Sequence, residues 1–214
     1  MEPFRFYTRF ILPEYTGKKA INIMELAERI REVPDSSIYY HTYNFLQEHH
    51  YLTPEPPSDF AHWVGEVLLE ASLGECLASI DTCGFSSIPL LRQAILETIE
   101  DYLAKGPPLR EAPGGMEFYF IKANLVVAQT RYTATNLQEF LEALRKVGIC
   151  SIYFHLFEAR LRLGREKNDF SHWIADSVRD EELANKISSL NPYTYTLENL
   201  REALIGLVEE RVKG

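Results

Sequence analysis

The sequence predicts a mainly α-helical protein of two tandem, pseudo-symmetric helical repeats, each preceded by one short β-strand. Three observations predict it. The pentapeptide Ser37-Ile38-Tyr39-Tyr40-His41 returns 114 residues later as Ser151-Ile152-Tyr153-Phe154-His155. At the same spacing Phe4 and Phe6 meet Phe118 and Phe120, and Asn22, Glu25, Leu26, Glu28, Ile30 and Val33 meet Asn136, Glu139, Phe140, Glu142, Leu144 and Val147. Between these echoes, apolar residues recur at three- and four-residue spacing, the period of a helix.

Phe4, Phe6, Thr8, Phe10 and Leu12 alternate with Arg5, Tyr7, Arg9 and Ile11, the period of a strand with one face inward. Pro13 to Lys19, centred on Thr16-Gly17, reads as a turn or loop. Asn22 stands at an N-cap with Glu25 three places on, before the helical stripe Ile23, Leu26, Ile30, Val33, which stops ahead of Pro34. Asp35, Ser36 and Ser37 offer oxygens to cap a second helix that carries the echo and runs on through Phe45, Leu46 and Gln47. His49 to Ser58, with Pro54, Pro56 and Pro57, reads as a loop.

Asp59 caps the next helix, whose stripe is Phe60, Trp63, Val64, Val67 and Leu68, with Gly74 as its interruption. A short helix through Leu77 and Ile80 and a turn near Gly84 lead to a long helix from about Pro89, with Leu91, Ile95, Ile99 and Leu103 inward. Lys105-Gly106-Pro107-Pro108 ends it, and Gly114-Gly115 belongs to a linker.

The second half repeats this order. Asp59-Phe60-Ala61-His62-Trp63 meets Asp169-Phe170-Ser171-His172-Trp173 at a spacing of 110, the difference falling where Gly164 to Asn168 replace the proline loop. Glu75-Cys76-Leu77-Ala78 matches Glu181-Glu182-Leu183-Ala184, and Leu91-Arg92-Gln93-Ala94-Ile95 matches Leu200-Arg201-Glu202-Ala203-Leu204. The division expected is residues 1–105, a linker over 106–117, and 118–214, the two repeats packed together as one compact structure in the manner of a fused dimer. Two lone strands are marginal in water, so they are expected together or each along its own bundle.

The chain has 214 residues, 46% of them apolar, enough for an ordinary globular core. With 22 Lys and Arg against 31 Asp and Glu the net charge is -9, which repels nucleic acid and anionic membranes. Met1-Glu2-Pro3-Phe4-Arg5 is unlike a secretory signal, and no stretch is apolar enough to span a bilayer. Cys76, Cys83 and Cys150 make no Cys-x-x-Cys pair and are odd in number; they read as buried thiols of a cytoplasmic protein.

His41 and His155 are the candidates for chemistry, each beside Tyr39 or Tyr153, with Asp59 and Asp169 opening a later helix. A carboxylate behind an imidazole orients a general base or a metal ligand, and the same pair satisfies a buried histidine. Asp59 and Asp169 read first as N-caps. A set of His41, Asp59 and His62, or of His155, Asp169 and His172, would be needed for a metal, and these spacings form no compact motif; no metal and no cofactor are expected. His49-His50 reads as solvated. Trp63, Trp173, Tyr39, Tyr153, Tyr193 and Tyr195 offer a platform for a flat ligand, or simply core. Arg160, Arg162, Arg165 and Lys167 form a basic run that reads as a solvated helix end, with an acidic partner or phosphate as the alternative. Phosphate loops, a nucleophile elbow and a Cys-based zinc site are missing.

Several stretches together resemble an uncharacterised prokaryotic family, a domain of unknown function in bacteria and archaea. They are Ser37 to His41, Leu52 to Trp63 with Pro54-Glu55-Pro56-Pro57 and Asp59-Phe60, Leu77-Ala78-Ser79-Ile80-Asp81-Thr82, Ser151 to Gly164, Asn168-Asp169-Phe170, and Asn191-Pro192-Tyr193-Thr194-Tyr195-Thr196-Leu197. The resemblance covers nearly the whole chain; it implies no activity and does not ask for histidine at 62 and 172. The expectation is a non-enzymatic protein binding a small ligand or a protein partner through Tyr39, His41, Trp63, Tyr153, His155 and Trp173. The alternative is a hydrolase or transferase using His41 with Asp59 or His155 with Asp169, with or without a metal.

Overall fold

Phe4–Ala20 (β1) and Phe118–Ala134 (β2) pair in a two-stranded sheet. The structure, a computed structural model, describes residues 2–44, 58–159, 167–190 and 197–213. Expectations placed on Phe45, Leu46, Gln47, His49, His50 and the proline loop, on Arg160, Arg162 and Arg165, on Gly164, and on Tyr193 and Tyr195 lie outside the described residues, as does the side chain of Cys83.

Neither strand is short: each has 17 residues. Pro13 to Lys19 is strand, not a turn. Both strands of a two-stranded sheet are edges, so the missing amide of Pro13 is tolerated, and Gly17 takes φ +77°, a kink that the strand absorbs. Thr16 Oγ1 donates to the Phe120 carbonyl at 2.8 Å, Lys19 meets Glu117 at 3.2 Å and Asn124 donates to Glu14 at 2.9 Å, an antiparallel order. The inward alternation also stops early: Phe4 and Phe6 are buried, whereas Phe10 and Leu12 are each 58% exposed.

By its contacts the chain divides into two compact units, Ile11–Asn124, and Met1–Phe10 with Leu125–Gly214. The contiguous division expected from sequence, with its linker at 106–117, places residues 1–10 with the first half instead. Because β1 runs on instead of turning back, its residues Phe4–Phe10 group with the helices of the second half.

In the 11–124 unit, α1 (Ile23–Glu32) begins as expected, with Asn22 Oδ1 accepting from the Glu25 amide at 3.0 Å and Glu25 reaching back to the Ile21 amide at 3.1 Å. It buries Ile23, Leu26, Ala27 and Ile30 and ends before Pro34. Next, α2 (Asp35–Tyr39) continues as a π-helical turn, Tyr40–Asn44. Its N-cap is Pro34 without a side-chain bond, so Asp35, Ser36 and Ser37 do not cap it. α3 (Asp59–His62) continues as the π turn Trp63–Val67; Ser58 caps it, accepting from the Ala61 amide at 3.2 Å, which leaves Asp59 for other work.

The helix breaks not at Gly74 but at Leu69, held at φ +56°. Gly74 lies inside α4 (Ala71–Ala78), where a Cβ would come within 2.9 Å of the Gly65 Cα. Cys76 is exposed, since α4 turns Leu73, Gly74 and Leu77 inward, and Cys150 is half-buried, so the buried-thiol expectation fails for both. α5 (Ile88–Leu103) buries Leu91, Ile95 and Ile99, and its Arg92 caps the end of α1 at the Ile30 carbonyl.

In the 1–10/125–214 unit, α6 (Leu137–Lys146) is capped by Asn136 at 2.9 Å. α7 (Ile149–Tyr153) runs into the π turn Phe154–Glu158. Asn168, rather than Asp169, caps α8 (Asp169–Trp173), which runs into the π turn Ile174–Val178. Arg179, at φ +63°, breaks the path before α9 (Glu181–Ser188). α10 (Leu197–Lys213) turns Leu200, Leu204 and Val208 inward, and its Arg201 reaches the Val147 carbonyl at 2.8 Å. Among the described residues no helix is long and apolar enough to cross a membrane.

Candidate functional site

In the 11–124 unit the echo motif holds one residue of β2 by both of its main-chain groups. Ser37 Oγ donates to the Ile121 carbonyl at 2.8 Å, and the Ile121 amide donates to His41 Nε2 at 3.0 Å. One helical turn separates Ser37 from His41, so both side chains stand on the face that meets the strand. His41 Nδ1 lies 2.6 Å from Asp59 Oδ2. An amide can only donate; Nε2 is therefore the unprotonated nitrogen, and Nδ1 carries the hydrogen given to Asp59. Trp63 Nε1 donates to the Met116 carbonyl at 2.8 Å, five residues before Ile121. Between these anchors, Phe118 packs with its ring centroid 4.7 Å from His41, 5.2 Å from Phe60 and 5.6 Å from Trp63. Tyr39 is buried and stacks on Tyr43 at 5.5 Å.

The 1–10/125–214 unit treats β1 in the same way. Ser151 Oγ donates to the Tyr7 carbonyl at 2.6 Å, and the Tyr7 amide donates to His155 Nε2 at 2.8 Å. His155 Nδ1 lies 2.7 Å from Asp169 Oδ2, and Trp173 Nε1 donates to the Glu2 carbonyl at 2.9 Å, again five residues before the held residue. Phe4 lies 4.9 Å from His155, 5.3 Å from Phe170 and 5.6 Å from Trp173. Tyr153 is buried beside Phe157 and beneath the Arg9 guanidinium. Arg9 pairs with Glu158 in the interior.

Both histidine–aspartate pairs anticipated from sequence are thus assembled, and both are closed. His41 is 3% exposed and His155 2%. An imidazole oriented by a carboxylate serves as a general base through its other nitrogen; here that nitrogen already accepts a strand amide. The two aspartates hold imidazoles rather than capping helices, because Ser58 and Asn168 take the caps. Trp63 and Trp173 are buried against phenylalanines and offer no open platform. His62 is exposed and His172 lies 3.4 Å from Asp176, and among the described residues no three His, Cys, Asp or Glu side chains converge on one point.

Sequence reasoning missed the two serines as donors to the strand, although each stands one turn before its histidine in the echo. It also missed Arg9–Glu158, which joins residues 149 apart and leaves no local pattern.

The structure of OrfY from Thermoproteus tenax, an archaeon, is similar over 100% of this chain and 97% of that one, at 28% identity and a TM-score of 0.84. No curated protein matches. Residues 1–209 match the model of a family of unknown function, DUF5752, and the chain belongs to that family.

Proposed function

We propose that this protein is a non-enzymatic binding protein of the cytoplasm, built by tandem duplication of a helical unit that holds an extended strand, with another polypeptide as its partner. The observation that carries the reading is the use of both ring nitrogens in His41 and in His155, one on a carboxylate and one on a strand amide. A catalytic histidine needs a nitrogen that meets substrate. Duplication is supported by positions outside the echo: among the described residues the two non-glycine residues at positive φ, Leu69 and Arg179, stand 110 apart and each precedes a buried carboxylate, Glu70 or Asp180. That spacing sets Leu73, Gly74 and Leu77 opposite Leu183, Ala184 and Ile187, one helical turn from the match of Glu75-Cys76-Leu77-Ala78 with Glu181-Glu182-Leu183-Ala184. A polypeptide partner is supported by apolar side chains left exposed on the strands: Phe10, Leu125, Val126 and Val127 in one unit, Leu12 and Tyr15 in the other.

The test is His41→Ala and His155→Ala, with elemental analysis of the purified protein. Each variant takes the imidazole from a half-buried strand amide and from a half-buried carboxylate, and is expected to lose about 2–3 kcal/mol in urea unfolding. Variants that keep their stability while a bound metal or a hydrolytic or transferase activity disappears would establish the enzyme instead.

A further inference from the structure

Three side chains on α7 and its π turn, Ser151, His155 and Glu158, form one stripe along β1. The first two hold the carbonyl and amide of Tyr7, and Glu158 pairs with Arg9, two residues further along the strand. Arg9 is 4% exposed and Glu158 3%. In the 11–124 unit Ser37 and His41 hold Ile121 alike, but two residues beyond it stands buried Ala123, and three beyond His41 stands Asn44. The ion pair therefore has no counterpart there.

A buried ion pair regains little more by attraction than it loses in desolvation; its best-attested use is to decide which of several arrangements is adopted. Two arrangements compete here. The chain carries two strands of like pattern, Phe4-Arg5-Phe6-Tyr7 and Phe118-Tyr119-Phe120-Ile121, and two helical faces that hold a strand by like bonds. We propose that the helices of Leu125–Gly214 form a receptor for an extended segment of the pattern Phe-x-Phe-Tyr-x-Arg, and that Arg9–Glu158 is the address assigning the chain's own first strand to it. Exchanging the strands would separate Arg9 from Glu158, placing Arg9 at the strand position opposite residue 44, an asparagine, and setting Glu158 against Ala123, so the pair's attraction is lost in both units. The address rests on the strand-holding reading of the histidines and adds to it the determinant of which strand each unit takes.

Trp63 and Trp173, the only tryptophans, each donate their indole N–H to a held strand, so an indole NMR spectrum carries one signal for each unit. The double variant R9M/E158L replaces the pair by apolar groups and leaves both histidines intact. It is expected to melt at or above the parent temperature while each indole signal splits in two and a concentration-dependent dimer appears in light scattering, as strands trade between faces and copies. Two single, unshifted signals from a monodisperse protein would overturn the address while leaving the histidine reading in place, since that reading fails only through the His41 and His155 variants. Should R9M/E158L not fold, charge reversal decides. R9E and E158R singly are expected to lose or split the Trp173 signal and R9E/E158R to restore one signal for each tryptophan; failure of the double variant to restore them overturns the proposal.

Discussion

Ser37 and His41, with Ser151 and His155, hold one strand residue each by its amide and its carbonyl, and the two bonds differ in what their loss leaves behind. Without the serine, a carbonyl loses one neutral donor. Without the histidine, a strand amide and a half-buried carboxylate both lose a partner. Ser37→Ala and Ser151→Ala are accordingly expected to cost about 1 kcal/mol each, well below the histidine variants, read as a shift of the urea midpoint at unchanged slope. A serine variant as damaging as its histidine neighbour would contradict this division of labour. The echo motif was legible from sequence as a repeated Ser-x-x-x-His, but not its object: a main-chain group has no residue type, so no spacing announces that it is the thing held.

Among the elements, helix starts divide by how local their chemistry is. Asn22 and Asn136 cap α1 and α6 through bonds to residues three places on, and sequence alone located both. Asp59 and Asp169 look the same in sequence, yet Ser58 and Asn168, one place earlier, take the caps while the aspartates turn to histidines. Asp180 combines both roles, capping α9 through the Leu183 amide at 3.1 Å and meeting Arg211. Burial pushes its carboxyl up, but the Leu183 amide and the Arg211 guanidinium outweigh that and hold it below the ordinary carboxylate range. The unfolded chain therefore binds this proton more readily than the folded one. The contribution is complete above the unfolded value near ~4 and fades as pH falls through the lower folded value. Asp180→Asn is expected to lower stability by a constant amount at neutral pH, with the gap to the parent closing below about pH 4 in urea titrations.

At the scale of the whole molecule, the opening residues of the first strand belong with the second set of helices, since Met1–Phe10 joins Leu125–Gly214. Phe6 is fully buried and stacks on Phe140 at 5.6 Å, while Phe120 is fully buried beside Phe60 and His41. Phe6→Ala is expected to cost about 3–5 kcal/mol. In native-state hydrogen exchange it should first strip protection from α6 and α8, whereas Phe120→Ala should first strip it from α1 and α3. The contiguous division at 106–117 requires the reverse pattern, so the experiment separates the two.

The helical period of the apolar residues, the asparagine caps and the echo of Ser37 to His41 in Ser151 to His155 were determined by the sequence itself, because each depends on neighbours within a turn or two. The pairing of His41 with Asp59 was also legible, since both recur in both halves. Tertiary structure alone decided that Pro13 to Lys19 stays extended: proline and glycine suit a turn and an edge strand equally, and only the partner strand chooses between them. The same choice decided which helices Phe4 and Phe6 enter, and closed the imidazoles of His41 and His155, whose second nitrogens are taken by amides from strands 80 and 148 residues away in the chain.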